Sequence, residues 1–531
     1  MSGRLAGKTA IIVGAGQSPG ETIGNGRAMA VLFAREGAQV LCVDRHLESA
    51  LETLAMISAE GGSAAAYQAD LERARAQTGA DESVRTGEGL IRGHRVALMA
   101  CEFGFLGGSI GRDAARRLVA ATERATAEGL PLLAGPASGG TRMQEGTPAF
   151  TGMIGISAAI ARHKAAGLPY LVYLRHPTTG GVMSSWASLG HVTVAEPGAL
   201  LGFLGPRVYQ AITGDRFPDG VQVAENLYAH RLIDAVVPPR ALPRVIARAL
   251  AVLTRPGPSD AATAGNTQPG AEPAYGAQEP TAAWDAVTRS RNPARPGLRQ
   301  LLRYAATDVL PLNGTGRGEA VHGMLLALAR LGSSPCVVIG HDRRTGQRGT
   351  PFGPAALRQA QRGIRLSREL ALPLVSVIDT PGAELSSEAE EGGLAGEIAR
   401  SLAELMELPS PTVSVILGAG TGGGALAVLP ADVVLCARHG WLAPLPPEGA
   451  AEILYRDPGR AAEVSAALDI TATALHAAGI VDAIIPEFDD AADEPRAFCE
   501  RAGREIQRSL ATLNAVSAAE RLAARLDRYR R

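Results

Sequence analysis

Thr178-Thr179-Gly180-Gly181-Val182 follows the apolar run Tyr170 to Leu174, and Thr421-Gly422-Gly423-Gly424-Ala425 follows Val413 to Leu417. Each stretch reads as a strand, a glycine turn and the start of a helix. Glycine admits positive φ and lets a second backbone or a substrate come close. The first N–H groups of a helix lack intrahelical partners. Together with the helix dipole they attract an anion. If that anion forms only during a reaction, the turn is an oxyanion hole. A single copy would read first as a tight strand-to-helix connection; a second copy points to a built feature.

A second strand and loop lies upstream of each turn. It is Pro131-Leu132-Leu133-Ala134-Gly135-Pro136-Ala137-Ser138-Gly139-Gly140 in one half and Pro373-Leu374-Val375-Ser376-Val377-Ile378-Asp379-Thr380-Pro381-Gly382 in the other. Gly140 to Gly181 is 41 positions, and so is Gly382 to Gly423. Equal spacings in two halves of one chain mark an internal structural repeat. Two similar domains, each with a pair of glycine loops, are expected.

Composition narrows the function. The chain has 531 residues, too many for one core. Hydrophobic residues make up 46%, charged residues 20%, and the formal net charge is −1, so no bulk charge draws it to nucleic acid or an anionic membrane. No uncharged apolar run reaches transmembrane length. The start, Met1-Ser2-Gly3-Arg4, runs into a strand without a signal peptide. Cys42, Cys101, Cys336, Cys436 and Cys499 are scattered, with no zinc-ribbon or disulfide spacing. A cytoplasmic protein with reduced thiols is expected. Lysine occurs only at Lys8 and Lys164. Chemistry that needs lysine must use one of these two.

The N-terminal stretch is a strand at 9–13, a glycine loop through Gly14, Gly20 and Gly26, a helix, and a second strand ending at Asp44. This is the first half of a dinucleotide-binding βαβ unit. It resembles the short-chain dehydrogenase/reductase family over about residues 5–72. The resemblance implies Asp44 on the ribose hydroxyls and Asp70 near the adenine. The family's Tyr-x-x-x-Lys pair is missing, because Ile160 stands four residues before Lys164. The segment is read as a truncated fragment with a vestigial nucleotide site, and NAD(P) chemistry is not expected.

Residues 73–88 read as polar and irregular, and strands alternate with helices from about Gly89. Residues 255–283, rich in Pro, Gly, Ala, Thr and Gln, read as a flexible linker. The second domain opens with the strand Pro335 to Ile339. The expected division is 1–72, 73–254, 255–283, 284–515 and a basic helix at 516–531.

Ordered motifs in both halves carry a second resemblance. Glu102-Phe103-Gly104-Phe105-Leu106-Gly107-Gly108-Ser109-Ile110-Gly111, Ser138-Gly139-Gly140-Thr141-Arg142-Met143-Gln144-Glu145-Gly146, Pro177 to Val182 and Gly202-Phe203-Leu204-Gly205-Pro206-Arg207 resemble the β subunit of bacterial acetyl-CoA carboxylase carboxyltransferase. Ile378 to Ala383, Glu388 to Gly393, Gly422 to Ala427 and Pro446 to Ala450 resemble the α subunit. The whole looks like a fused β–α carboxyltransferase. The resemblance implies an α/β fold: two tandem crotonase-like (ββα superhelix) domains, here preceded by a partial Rossmann-like βαβ unit.

It also implies the chemistry. Carboxybiotin arrives on a separate carrier protein, since neither lysine sits in a Met-Lys-Met biotinylation site. A biotin carboxylase on another chain charges that carrier. The carboxyl group passes to the α-carbon of acetyl-CoA or another short acyl-CoA, and oxyanions develop on thioester and biotin. Gly180 and Gly181 would line the thioester side, and Gly424 and Ala425 the biotin side. Gly107, Gly108, Gly139, Gly140 and Gly423 would bound the substrate pockets, and Arg142 would meet CoA phosphates or form a salt bridge. No metal site is indicated. Glu388, Glu390 and Glu391 read as a solvated helix start. A homo-oligomer with sites shared between subunits is implied. The alternatives are a malonyl-type decarboxylase, a crotonase-like acyl-CoA enzyme, or a nucleotide-sensing scaffold subunit.

Overall fold

A computed structural model describes residues 3–17, 23–44, 47–68, 71–254, 281–319, 321–342 and 352–530. Gly20, Asp70 and nearly all of the expected linker lie outside the described residues.

The two glycine turns sit at the ends of buried parallel strands. Tyr170–Leu174 is buried at every position, and Thr412–Thr421 at all but one. Such strands, covered on both faces, read as continuous apolar runs. In the first half the strand order is Ala235–Val236, Val192–Ala195, Tyr170–Leu174, Leu132–Gly135, His94–Cys101, Val84–Ile91. In the second it is Ala306–Leu312, Met324–Leu331, Ser334–His341, Leu374–Thr380, Thr412–Thr421, Val433–Ala437, Ala483–Ile485, with Trp441–Ala443 beside Thr412–Thr421.

The repeat extends to register. Val84 pairs with Cys101 in an antiparallel hairpin, and Met324 with His341. Ala97 pairs with Leu132 in parallel, and Val337 with Leu374. Leu132 pairs with Tyr170, and Leu374 with Thr412. Each half is therefore an antiparallel hairpin followed by parallel strand–helix units.

The opening hairpins lack a sequence signal. Residues 73–88, expected to be irregular, hold the helix Leu71–Thr78 and the start of Val84–Ile91. That strand is an edge, largely exposed, and its backbone ladder holds it where no apolar alternation could announce it. In the second half two strands precede the one expected first. Met324–Leu331 is Met-Leu-Leu-Ala-Leu-Ala-Arg-Leu, a composition of good helix formers, and pairing on both edges makes it a strand.

One apolar core joins the halves. Val96, Leu133, Leu171 and Val194 of the first sheet pack with Leu250 and Leu253 and with Leu326, Val337, Ile339 and Ile364 of the second half. At the junction Asp234 takes the Asn313 N–H at 3.0 Å and the Arg362 guanidinium at 2.9 Å. Lys164 Nζ and His191 Nε2 each lie 3.2 Å from a carboxylate oxygen of Glu369. Lys164 thus ties the halves together.

The N-terminal sheet is three parallel strands, Thr9–Val13, Gln39–Asp44 and Ser63–Gln68, with the helices Asn25–Arg35 and Leu47–Ala59. The boundary expected at 72/73 falls inside the helix Leu71–Thr78, whose Ala74 packs with Ala80 against Phe105. The C-terminal helix Ala518–Arg528 is docked by buried side chains. Arg525 pairs with Asp432 at 2.7 Å and donates to the carbonyls of Leu405 and Leu408. Among the described residues no helix is long and apolar enough to cross a membrane.

Candidate active site

Three glycine loops of the first half meet at one point. The Gly139 N–H donates to Gly107 O at 2.9 Å, the Ile110 N–H to Gly140 O at 2.9 Å, and the Thr179 N–H to Ser138 O at 2.9 Å. Gly107, Gly108, Gly139, Gly140, Gly180 and Gly181 are thereby brought together. A Cβ added at Gly180, where φ is 64°, would lie 2.9 Å from Gly139 O. Only glycine allows both that backbone and that contact.

The helix after the turn runs Gly180–Met183, with Thr179 as its N-cap. Gly180 donates its N–H to Phe203 O at 2.8 Å, so the Gly202-Phe203 motif closes the turn from beneath. Gly181 occupies the second helical position, where an N–H has no intrahelical acceptor. Of the two glycines, Gly180 has its N–H taken and shapes the turn, while that of Gly181 has no acceptor within the helix. The helix spans four residues, and its counterpart Gly422–Leu426 five, so the donor strength rests on individual N–H groups and little on a summed dipole.

The second half repeats the device. Ser138 Oγ accepts the Gly140 N–H at 3.0 Å, and Thr380 Oγ1 accepts the Gly382 N–H at 3.1 Å. Positive φ recurs at Gly140 and Gly382 and at Gly180 and Gly422. Thr179 and Thr421 are the N-caps. A hydroxyl two residues before the glycine was visible in both sequences; its role was not.

This register corrects one site residue. Gly422 and Gly423 correspond to Gly180 and Gly181. Ala425 is buried at the fourth helical position, where helix geometry turns its N–H to the Thr421 carbonyl. The turn's available donors are Gly423 and Gly424.

Of the two roles expected for Arg142, CoA phosphates or a salt bridge, the structure shows the salt bridge, with the residue 1% exposed. Its guanidinium pairs with Glu82 and, at 3.0 Å, with Glu145, donates to Ser109 O at 2.9 Å, and stacks over Phe105. It braces the loop that carries Gly107 and Gly108.

The N-terminal glycine loop is tied by its own neighbours. One carboxylate oxygen of Asp44 accepts the Gly16 N–H at 2.8 Å. Ser49 takes the Gln17 N–H at 2.6 Å, and Gln17 the Gly24 N–H at 2.7 Å. A Cβ at Gly26 would lie 1.9 Å from the carbonyl oxygen of Gly14, so Gly26 lets the helix pack closely on the first strand's end.

Glu388 stands at the start of Ser387–Glu391, capped by Ser386. Its own backbone N–H and Ser387 lower its pKa, as suits an exposed helix start. Among the described residues His439, Glu487 and Asp490 cluster closely enough to ligate a metal. Arg295 already supplies the cation there, 2.6 Å from Glu487 and 2.7 Å from Asp490.

Residues 57–521 match the carboxyl transferase domain family. The chain belongs to the carboxyl transferase family. It is 59% identical over 466 residues to the "Probable biotin-dependent acyl-coenzyme A carboxylase beta3 subunit" of Mycobacterium tuberculosis, covering 88% of this chain and 92% of that protein. It is 38% identical over 476 residues to the "Acetyl-coenzyme A carboxylase carboxyl transferase subunits beta/alpha" of Salinispora arenicola, covering 88% and 84%. Among solved structures it is similar to transcarboxylase 12S, described as a hexamer with methylmalonyl-coenzyme A bound. The TM-score is 0.63 at 22% identity, covering 80% of this chain and 82% of that one. That likeness is one of fold, and the crotonase-like tandem architecture is shared by this carboxyl transferase. The paired glycine loops described above lie within the matched span.

Proposed function

We propose that this carboxyl transferase moves a carboxyl group from carboxybiotin, carried on a separate protein, to the α-carbon of acetyl-CoA or another short acyl-CoA. The observation that carries this reading is the doubled turn. In each half one strand leads to a hydroxyl–glycine loop and the next to a glycine helix with threonine at its N-cap position. A reaction that develops negative charge on two separate oxygens calls for two such turns; hydration of an enoyl thioester calls for one.

The chain needs no side-chain acid or base for this. The Gly181 N–H stabilises the thioester oxyanion, and the Gly423 and Gly424 N–H groups stabilise the ureido oxygen as the carboxyl group leaves. Preorganised donors of this kind are each worth about 3 kcal/mol of barrier. The ureido nitrogen, once freed of its carboxyl group, takes the acyl α-proton.

A biotin carboxylase and a biotin carboxyl carrier protein act as partners. The protein works as a homo-oligomer, with the first half of one copy facing the second half of another. Large apolar side chains flanking the glycine loops support this: Phe150, Ile154, Phe203 and Ile212 in one half, and Leu385 and Ile453 in the other, are each more than half exposed.

The direct test is carboxyl transfer with purified carboxylase, charged carrier and a panel of acyl-CoAs. Product carboxylated at the α-carbon is expected. Enoyl-CoA hydration, or loss of CO2 from a malonyl thioester with no transfer, would replace this reading.

A further inference from the structure

The two halves build their glycine loops on one plan and close them differently. In the first half the loops touch: a Cβ at Gly140 would lie 3.1 Å from the Gly181 nitrogen. In the second half the nearest atom to a Cβ at Gly382 is Thr421 Cγ2, at 3.9 Å. A ring stands nearby instead. A Cβ at Gly424 would lie 2.3 Å from Phe352 Cζ and 3.3 Å from the Ala383 nitrogen. The corresponding position in the first half is Val182, fully buried. One half fills this place from within the helix, the other with an aromatic ring from a different segment.

Phe352 is fully buried and anchored on several sides. Its backbone bridges to Ala383, and its carbonyl accepts the Glu384 N–H at 3.1 Å. Its ring centroid lies 4.8 Å from that of His341, tilted by 52°. His341 Nδ1 in turn accepts the Asp379 N–H at 3.3 Å, at the head of the same loop. The ring is therefore bonded by its backbone to the Gly382 loop and packed by its edge on the Gly424 turn.

We propose that Phe352 is a positioning residue for the second glycine site: its ring, wedged between the 379–384 loop and the Gly422–Leu426 turn, sets their separation and aims the Gly423 and Gly424 N–H groups. This rests on the reading of that turn as the biotin side. It also explains why residue 424 is glycine: the space of its side chain is already taken. Removing the ring leaves a hole beside a turn whose donors work only in one place, and close-packed surroundings collapse only in part.

The test uses the full-length chain with Phe352→Ala, Phe352→Leu, Gly424→Val and the pair Phe352→Ala with Gly424→Val. Phe352→Ala is expected to slow decarboxylation of carboxybiotin without acyl-CoA by about tenfold or more, since small misplacements of reacting groups have such effects. The affinity for acyl-CoA, measured without biotin, should stay near the parent value, and the decarboxylation rate of Phe352→Leu should fall between. The double variant should melt higher and decarboxylate faster than Gly424→Val alone, because valine enters the vacated space as Val182 does in the first half. Unchanged decarboxylation in folded Phe352→Ala, an equal loss of acyl-CoA affinity, or a double variant no better than Gly424→Val, would overturn the proposal. If the parent transferred no carboxyl group, the carboxyltransferase reading would fall, while the melting comparison would still decide for or against the wedge.

Discussion

Gly180 and Gly139 meet so closely that a methyl group on Gly180 would sit 2.9 Å from the Gly139 carbonyl oxygen. The donor beside them, Gly181, has Thr141 Oγ1 only 3.0 Å from where its own Cβ would be. Substitutions here act on turn shape, not on side-chain chemistry. Gly181→Val should lower turnover strongly and suppress acyl α-proton exchange, with the fold retained. Gly424→Val should slow decarboxylation of carboxybiotin even without acyl-CoA. Loss of one donor corresponds to about a hundredfold in rate. The two partial reactions, measured on folded variants, check the separation. Near-parent turnover in both would sink the two-oxyanion mechanism.

If sites are shared between subunits, inactive Gly181→Val and inactive Gly424→Val chains should regain activity when mixed under conditions that exchange subunits. Each mixed interface can hold one intact pair of turns. Sites confined to one chain predict no recovery in a sample shown by mass to have exchanged.

The buried Arg142–Glu82 pair sets a different expectation. Arg142→Met should destabilise the protein by about 3–5 kcal/mol, because Glu82 is left charged and unpaired in the interior. The KM for acyl-CoA in the fraction that stays folded should change little. Chemical denaturation and initial rates measure the two separately. A large rise in KM with unchanged stability would restore a phosphate-binding role.

The N-terminal sheet should be dispensable for carboxyl transfer, provided the cut respects the packing. Removal of residues 1–68 should leave the rate within a few-fold. Removal through residue 80 should not, since it strips Ala74 and Ala80 from Phe105, next to the Gly107 loop. Assays on both truncations, with the oligomer checked, decide this. Full loss on the shorter, folded truncation would contradict it.

Stability should fall as the solution is acidified below neutral. Burial pushes the imidazoles of His163 and His341 down to about 4. An unfolded chain takes up these protons near pH ~6.5. The neutral folded histidines therefore contribute stability fully above that value, and it is lost as pH falls toward about 4. Replacing both by Gln should flatten the dependence of unfolding free energy between pH ~7 and ~5. An unchanged slope would assign the dependence to other groups.

What the sequence determined by itself is the plan: two halves, two glycine turns after apolar strands, and the upstream loops at matched spacing. These were legible because buried parallel strands must be continuously apolar, and because glycine is required wherever backbones cross at contact distance. The tertiary structure alone decided which N–H groups remain available. Phe203, in another motif, takes the Gly180 N–H, and helix geometry consumes that of Ala425. It alone decided that Arg142 faces inward, because the partner that neutralises it, Glu82, lies far away in the chain. The hairpin strands 84–91 and 324–331 also came only from the fold. Their conformation is dictated by ladder hydrogen bonds to neighbours, and such bonds involve backbone atoms that every residue shares.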